Sequence, residues 1–349
     1  MKMRLKPLRD QVIVITGASS GIGLATARMA ARRGSKLVLA ARSDDALRQL
    51  VDEIRSGGRE AIHVECDVGR EEDVRRVADA ARQAFGGFDT WVNNAGASVY
   101  GKALEVSIED MRRVFDTNFW GVVFGSRVAA EHLRQHGGAL INVGSETSDL
   151  AIPLQAIYSA SKHAVKGWTD ALRTELEHEG APVSVTLIKP GPVDTPYTQH
   201  ARNYLPDQPK HAPPVYAPDS VAEAILHAAT TPVRDIFVGS GAKLAVTLNK
   251  LSPRLSDRML EKVLIPGTHS GKARKPGEAL HTAGGELQER GDYEGMVRNS
   301  VYTRATIHPM LTSAVALAAG AALTAAWRAS THREDRPHHD RPLAHRPVM

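Results

Sequence analysis

The chain has 349 residues, with 44 Lys and Arg against 39 Asp and Glu and a formal net charge of +5. That length exceeds a typical single domain, so one domain plus an appendage is the natural count. Charge signs mix in Arg70-Glu71-Glu72-Asp73, and Glu175-Leu176-Glu177 is acidic, which speaks against a basic nucleic-acid-binding face. A single cysteine, Cys66, excludes an intrachain disulfide and fits a reducing compartment. The first apolar run, over 12–15, is too short for the core of a signal peptide. A cytoplasmic location is the expectation.

In chain order, the strand Val14-Ile15-Thr16 runs into the turn Gly17-Ala18-Ser19-Ser20-Gly21-Ile22-Gly23, and a helical pattern follows over 24–33. Glycines at 17, 21 and 23 permit a tight turn, close approach of backbone to a pyrophosphate, and close packing of helix on strand. The helix N-terminus attracts phosphate charge. A second strand ends in Ala40-Ala41-Arg42, without the acidic residue that would accept hydrogen bonds from ribose hydroxyls. Arg42 carries a planar guanidinium suited to a 2′-phosphate. NADP(H) is therefore favoured, with NAD(H) as the alternative. The bland reading makes Arg42 a solvated loop residue and Ser43-Asp44-Asp45 the start of the next helix. Strands near 61–66, 90–93, 139–143, 183–188 and 236–238 alternate with helices over 70–85, 108–135, 159–178 and 218–229. That alternation is the signature of an α/β fold with a parallel sheet.

Tyr158 and Lys162 stand four apart in a predicted helix, which places a phenol and an ammonium on one face. The cation is expected to lower the phenol's pKa from its usual ~10, toward the range useful for proton exchange with an alcohol or carbonyl oxygen. Ser145 can hold that oxygen by a hydrogen bond. A Tyr and a Lys at this spacing are ordinary by themselves; here a glycine turn and further motifs accompany them. Residues 16–23 fit TGxxxGxG, Asn93-Asn94-Ala95-Gly96 fits NNAG, 158–162 fits YxxxK and Pro190-Gly191 fits PG.

With these motifs, the stretch from 10 to 238 resembles the classical short-chain dehydrogenase/reductase family. The glycine spacing differs from the TGxxGxxG of the extended, epimerase-like branch, and the Tyr-to-Lys interval differs from that of the divergent enoyl reductases. The resemblance implies a doubly wound Rossmann sheet and interconversion of a carbonyl and an alcohol. It makes Tyr158 the general acid/base, has Lys162 bind the nicotinamide ribose and lower the Tyr pKa, and has Ser145 orient the substrate oxygen. Asn118 holds a water in the proton relay, and Ser148 is a rival for the serine role. It also sets the cofactor against Gly17, Ser19, Ser20, Gly21, Ile22, Gly23, Arg42, Asp67, Val68, Asn94, Ala95, Gly96, Tyr158, Lys162, Pro190, Gly191, Val193 and Thr195. No metal ligand set is implied, and a homo-oligomer is expected. Residues 192–217, rich in Pro and carrying Tyr197, His200, Tyr204, His211 and Tyr216, lie where the family has a substrate lid; a plain surface loop is the other reading. Trp120, Tyr100, Ile152 and Leu154 suggest an apolar substrate. The competing function is a cofactor-binding regulatory or scaffolding protein without turnover, against which the intact Asn, Ser, Tyr and Lys argue.

On this reading residues 1–240 form the catalytic domain and 241–349 a helical or disordered extension. Residues 244–264 suit one or two amphipathic helices, and 266–300 is a linker rich in Gly, Pro and charge. Between Arg304 and Arg328 no charged residue occurs, and 310–327 forms an Ala-rich apolar helix. Its length would cross a bilayer, yet a crossing would export the basic tail after it. A span, a membrane-surface or partner-packing helix through 305–327, and a soluble helix all stay open.

Overall fold

Nearly continuous apolar runs mark strands covered on both faces. In β1 (Val12–Thr16), Ile13, Val14 and Ile15 have no exposed surface. The strands that follow are β2 (Lys36–Ala41), β3 (Ala61–Glu65), β4 (Thr90–Asn93), β5 (Gly138–Val143), β6 (Val183–Pro190) and β7 (Asp235–Val238). They form one parallel sheet in the order β7-β6-β5-β4-β1-β2-β3. This is the expected doubly wound α/β fold. The computed structural model describes residues 3–274, 278–284, 287–310, 312–313 and 324.

Helices cover both faces of the sheet: α1 (Gly21–Arg32), α2 (Asp44–Ser56), α3 (Glu71–Phe85), α4 (Ile108–Phe115), α5 (Gly121–His136), α6 (Ala156–His178) and α7 (Pro218–Ala228). The strand order reverses between β1 and β4, which opens a crevice beyond their carboxyl ends. The glycine turn, the 94–96 segment and Ser145 lie just past the ends of strands of this central group, and Pro190-Gly191 spans the end of β6. Sheet topology thus gathers segments far apart in sequence.

The chain divides into a unit of residues 1–304 and a second of 305–349. Within the first, Pro190-Gly191 leads into the segment expected to be a lid. Arg202–Asn203 of that segment pairs with Val99–Tyr100, and Val215–Tyr216 pairs with Val297–Arg298. Parts of the 266–300 stretch are bound to the same unit: His269 meets Asp207 at 2.6 Å and His281 meets Asp110 at 2.7 Å. In the second unit, the Thr312 hydroxyl donates to the Ala305 and His308 carbonyls. The Ala-rich stretch 310–327 lies outside the described residues except at 310, 312, 313 and 324. Among the described residues no helix is long and apolar enough to cross a membrane.

Candidate active site

A cavity of about 450 Å³ occupies the crevice, within the ordinary range of ligand sites. Every residue expected on the cofactor or in catalysis lines it, apart from Gly23 and Asn118. Those two lie behind the wall. A Cβ on Gly23 would come within 2.0 Å of the Gly17 carbonyl oxygen, so only glycine lets α1 pack this closely on the turn. Gly17 and Gly21 adopt φ of 66° and 53°, the left-handed region that favours glycine. The turn is locked to the end of β4: Thr16 Oγ1 accepts from the Asn94 and Ala95 amides, and Asn94 Nδ2 donates to the Thr16 and Gly17 carbonyls.

Asn118 lies in a single π-helical turn, Asp116–Trp120, between α4 and α5. Such insertions re-aim one side chain within an otherwise regular helix. Its Nδ2 donates to Ala97 O at 2.9 Å and Ser161 Oγ at 3.0 Å, and its Oδ1 accepts from Ala97 N at 2.7 Å. The side chain therefore clamps the 94–97 segment onto α6.

Ser145 begins the short turn after β5. Its Oγ accepts from the Thr147 amide at 3.1 Å, and the rival Ser148 turns its Oγ to the Ser145 amide at 3.2 Å. Ser145 lies beside the phenol of Tyr158 as a hydrogen-bond partner, and Tyr197 is a second partner of the same phenol. The Tyr158 and Tyr197 rings meet edge to face at 5.5 Å. Tyr197 is not among the expected catalytic or cofactor residues. Its hydroxyl accepts from Gln155 Nε2 at 2.8 Å, which also donates to Ser98 Oγ at 2.9 Å. Only its place in an aromatic-rich lid sequence hinted at a role.

Lys162 is 4% exposed. Its Nζ donates to Val143 O at 2.9 Å and stands 5.7 Å from the Tyr158 ring centre. Burial pushes its ammonium down to about 8. The expected lowering of the Tyr158 pKa is absent in this state. Burial raises it, the Ser145 and Tyr197 hydrogen bonds oppose that rise, and Glu146 adds to it. A phenol removed from water loses more solvation of its anion than a hydrogen bond or two restores. Burial also pushes Glu146 up to about 7, and no sequence signal marked this carboxyl. His211, stacked on Tyr197 at 5.9 Å, is pushed by burial down to about 4, and its Nε2 is buried without a hydrogen-bond partner among the described residues.

Tyr100 and Ile152 line the cavity as expected. Trp120 does not: it is 46% exposed and stacks on Phe124 at 5.8 Å, because the π-helical turn directs Asn118 inward and Trp120 out. Leu154 packs with Tyr100, Ala201 and Leu205. Arg42 lines the cavity at the end of β2, but it donates to the carbonyls of Ala279 and Leu280. Asp67, at the end of β3, lines the cavity and is paired at 2.7 Å with Arg113 of α4, which does not line it. Cys66 is buried, and burial pushes its thiol up to about 12, far from a reactive thiolate.

A parallel doubly wound sheet with a glycine turn, and a Tyr and a Lys converging in one crevice, define a nucleotide-dependent oxidoreductase. Comparison with known proteins gives the family. A family model described as short chain dehydrogenase matches residues 11–205. The chain is 52% identical over 320 residues, covering 90% of each protein, to the uncharacterized oxidoreductase YxnA of Bacillus subtilis (strain 168). It is 33% identical over 277 residues to 11-beta-hydroxysteroid dehydrogenase A of Arachis hypogaea, covering 75% of this chain and 78% of the other. A short chain dehydrogenase/reductase from Burkholderia phymatum in complex with NAD is similar at 31% identity and a TM-score of 0.66, over 72% of this chain and 96% of that one. An alcohol dehydrogenase from Thermococcus sibiricus complexed with 5-hydroxy-NADP is similar at 29% identity and a TM-score of 0.57, over 65% and 95%. The protein belongs to the short-chain dehydrogenase/reductase family and is an NAD(P)-dependent oxidoreductase.

Proposed function

We propose that the protein uses NADP(H) to interconvert a carbonyl and an alcohol on a largely apolar small molecule, with Tyr158 as general acid/base. The observation that carries this reading is the Tyr158 phenol beside Ser145 and Lys162 in the cavity that begins at the glycine turn. The glycine cradle and the helix start behind it fit a dinucleotide's pyrophosphate. A nicotinamide bound there supplies or accepts hydride.

In the reducing direction Ser145 donates a hydrogen bond to the substrate oxygen, and Tyr158 hands that oxygen its proton. Lys162, held in place by the Val143 carbonyl, favours the phenolate that is left. Asn118 acts as a positioning residue through its clamp on 94–97. The lid segment contributes Tyr197 and His211 to the substrate end. NADP(H) is preferred over NAD(H) because Arg42 offers a guanidinium, and no acid, at the end of β2. Tyr100, Ile152 and Leu150 favour an apolar frame, in keeping with the hydroxysteroid named for the Arachis relative. Self-association through the α4–α5 face is supported by exposed Ile108 and Trp120.

Oxidation of NADPH with a panel of aldehydes, ketones and quinones tests the reading. Turnover of at least one apolar carbonyl is expected. Binding of NADPH with no turnover of any would instead favour a regulatory role.

The pH profile carries a second test. Ionised Glu146 disfavours the Tyr158 phenolate; Glu146→Gln removes that charge at all pH values. Tyr158 then ionises more easily, so the limb of the profile that reports it should move to lower pH. An unmoved limb in Glu146→Gln would separate Glu146 from the proton transfer.

A further inference from the structure

The extension beyond the family match returns to the nucleotide end of the crevice. Its described residues 278–284 and 287–291 lie against the groups that would hold a dinucleotide. Leu280 is 1% exposed, packed with Val99, Val106 and Val114. His281 is tied to Asp110, and Glu289 to Arg28 at 2.8 Å. The Gly21 amide, the first of α1, donates to Gln288 O at 2.8 Å. At the ends of β2 and β3, two guanidiniums converge on one acceptor: Arg42 Nη1 at 3.0 Å and Arg113 Nε at 3.1 Å both donate to Leu280 O. Arg42 Nη2 donates to Ala279 O.

Two cations meeting at a neutral carbonyl are poorly matched. Asp67 pairs with Arg113 and acts on Arg42 without a direct bond, and Glu278 acts on Arg42 only at longer range. Burial, and then the neighbouring Arg113, disfavour the charged form of Arg42. An anion at the position of the Leu280 oxygen would offset both, and a phosphate accepts such forked donors better than an amide carbonyl does.

Building on the NADP(H) reading above, we propose that Arg42 and Arg113 together form the site for the 2′-phosphate of NADP(H), and that the Leu280 carbonyl stands in that site until the cofactor displaces it. The Gln288 carbonyl occupies the pyrophosphate position at the Gly21 amide in the same way. Entry of the phosphate and release of the strap are then one event. Arg113 lies on α4, outside the strand-end position where a cofactor-selecting residue is ordinarily sought.

The test titrates full-length wild type, Arg113→Gln and Arg113→Lys with NADPH, NADH, 2′-AMP and 5′-AMP by fluorescence or calorimetry, and follows amide hydrogen exchange at 279–284. Arg113→Gln should weaken NADPH and 2′-AMP by roughly tenfold to a hundredfold, the effect of losing a charge-assisted contact, and leave NADH and 5′-AMP nearly unchanged. Arg113→Lys keeps the charge opposite Asp67 and should fall between, which covers the case of a Gln variant that does not fold. NADPH should speed exchange at Ala279 and Leu280 in the wild type. Equal loss for phosphorylated and unphosphorylated ligands would make Arg113 only a support for Asp67 and overturn the proposal, as would slower exchange at 279–284 on NADPH binding. Failure of wild type to bind either dinucleotide would defeat the functional reading as well, whereas good binding with an unchanged ratio in the Arg113 variants defeats this inference alone.

Discussion

Tyr158→Phe should lower turnover by roughly 10²- to 10⁴-fold, the usual contribution of a positioned acid or base, while dinucleotide affinity stays close to wild type. The substitution removes one oxygen atom and keeps the ring, so its edge-to-face contact with Tyr197 is preserved. What disappears is the hydroxyl that stands next to Ser145, placed to exchange a proton with a substrate oxygen. Tyr197 lies close enough to be a rival donor, and it is raised well above an ordinary phenol by burial and by the neighbouring Tyr158 and Tyr100. An acid so weak is a poor replacement near neutral pH. Steady-state rates combined with cofactor titration check the result. A Tyr158→Phe protein with a near wild-type rate would move the proton transfer to another residue.

Asp149→Ala should destabilise the first unit by about 3–5 kcal/mol, the magnitude expected when one partner of a buried ion pair is removed. Asp149 and Lys189 pair at 3.0 Å with both side chains 5% exposed. After the substitution the Lys189 ammonium keeps, among the described residues, Asp235 at 3.8 Å and the face of the Phe237 ring. The pair joins the segment that follows Ser145 to β6 just before Pro190, so its loss should also loosen the serine. Lys189→Met in the Asp149→Ala background removes the uncompensated charge and should recover a substantial part of the stability. Urea unfolding of the three variants provides the comparison. A loss below about 1 kcal/mol in Asp149→Ala, a value typical of exposed pairs, would show that water reaches Lys189.

What was legible in the sequence depended on whether a backbone constraint accompanied the chemistry. Gly17, Gly21 and Gly23 must be glycine for steric reasons, and the strand before them and helix after them fix where they lie. The parallel strands show as buried apolar runs, and the Tyr158-Lys162 interval as a helical repeat. These signals are local. The direction of the Tyr158 shift was misread because spacing reports a neighbouring cation and cannot report how much water burial removes from the phenol. Glu146, Gln155 and Arg113 gained their positions from chain segments brought together only by the fold. The strap was opaque for a further reason. It meets Gly21, Arg42 and Arg113 through the main-chain oxygens of Gln288, Ala279 and Leu280, and backbone acceptors leave no residue signature. Its Gly- and charge-rich composition, taken alone, describes a solvated linker.

Transfer of label from NADPH deuterated at the nicotinamide C4 tests the central claim most directly, with full-length protein, a panel of apolar ketones and aldehydes, and mass analysis of the products. The account predicts deuterium on the carbinol carbon of at least one product with wild type, and its near disappearance with Tyr158→Phe at saturating cofactor. Bound cofactor that passes no deuterium to any carbonyl, or equal labelling by wild type and Tyr158→Phe, would contradict it.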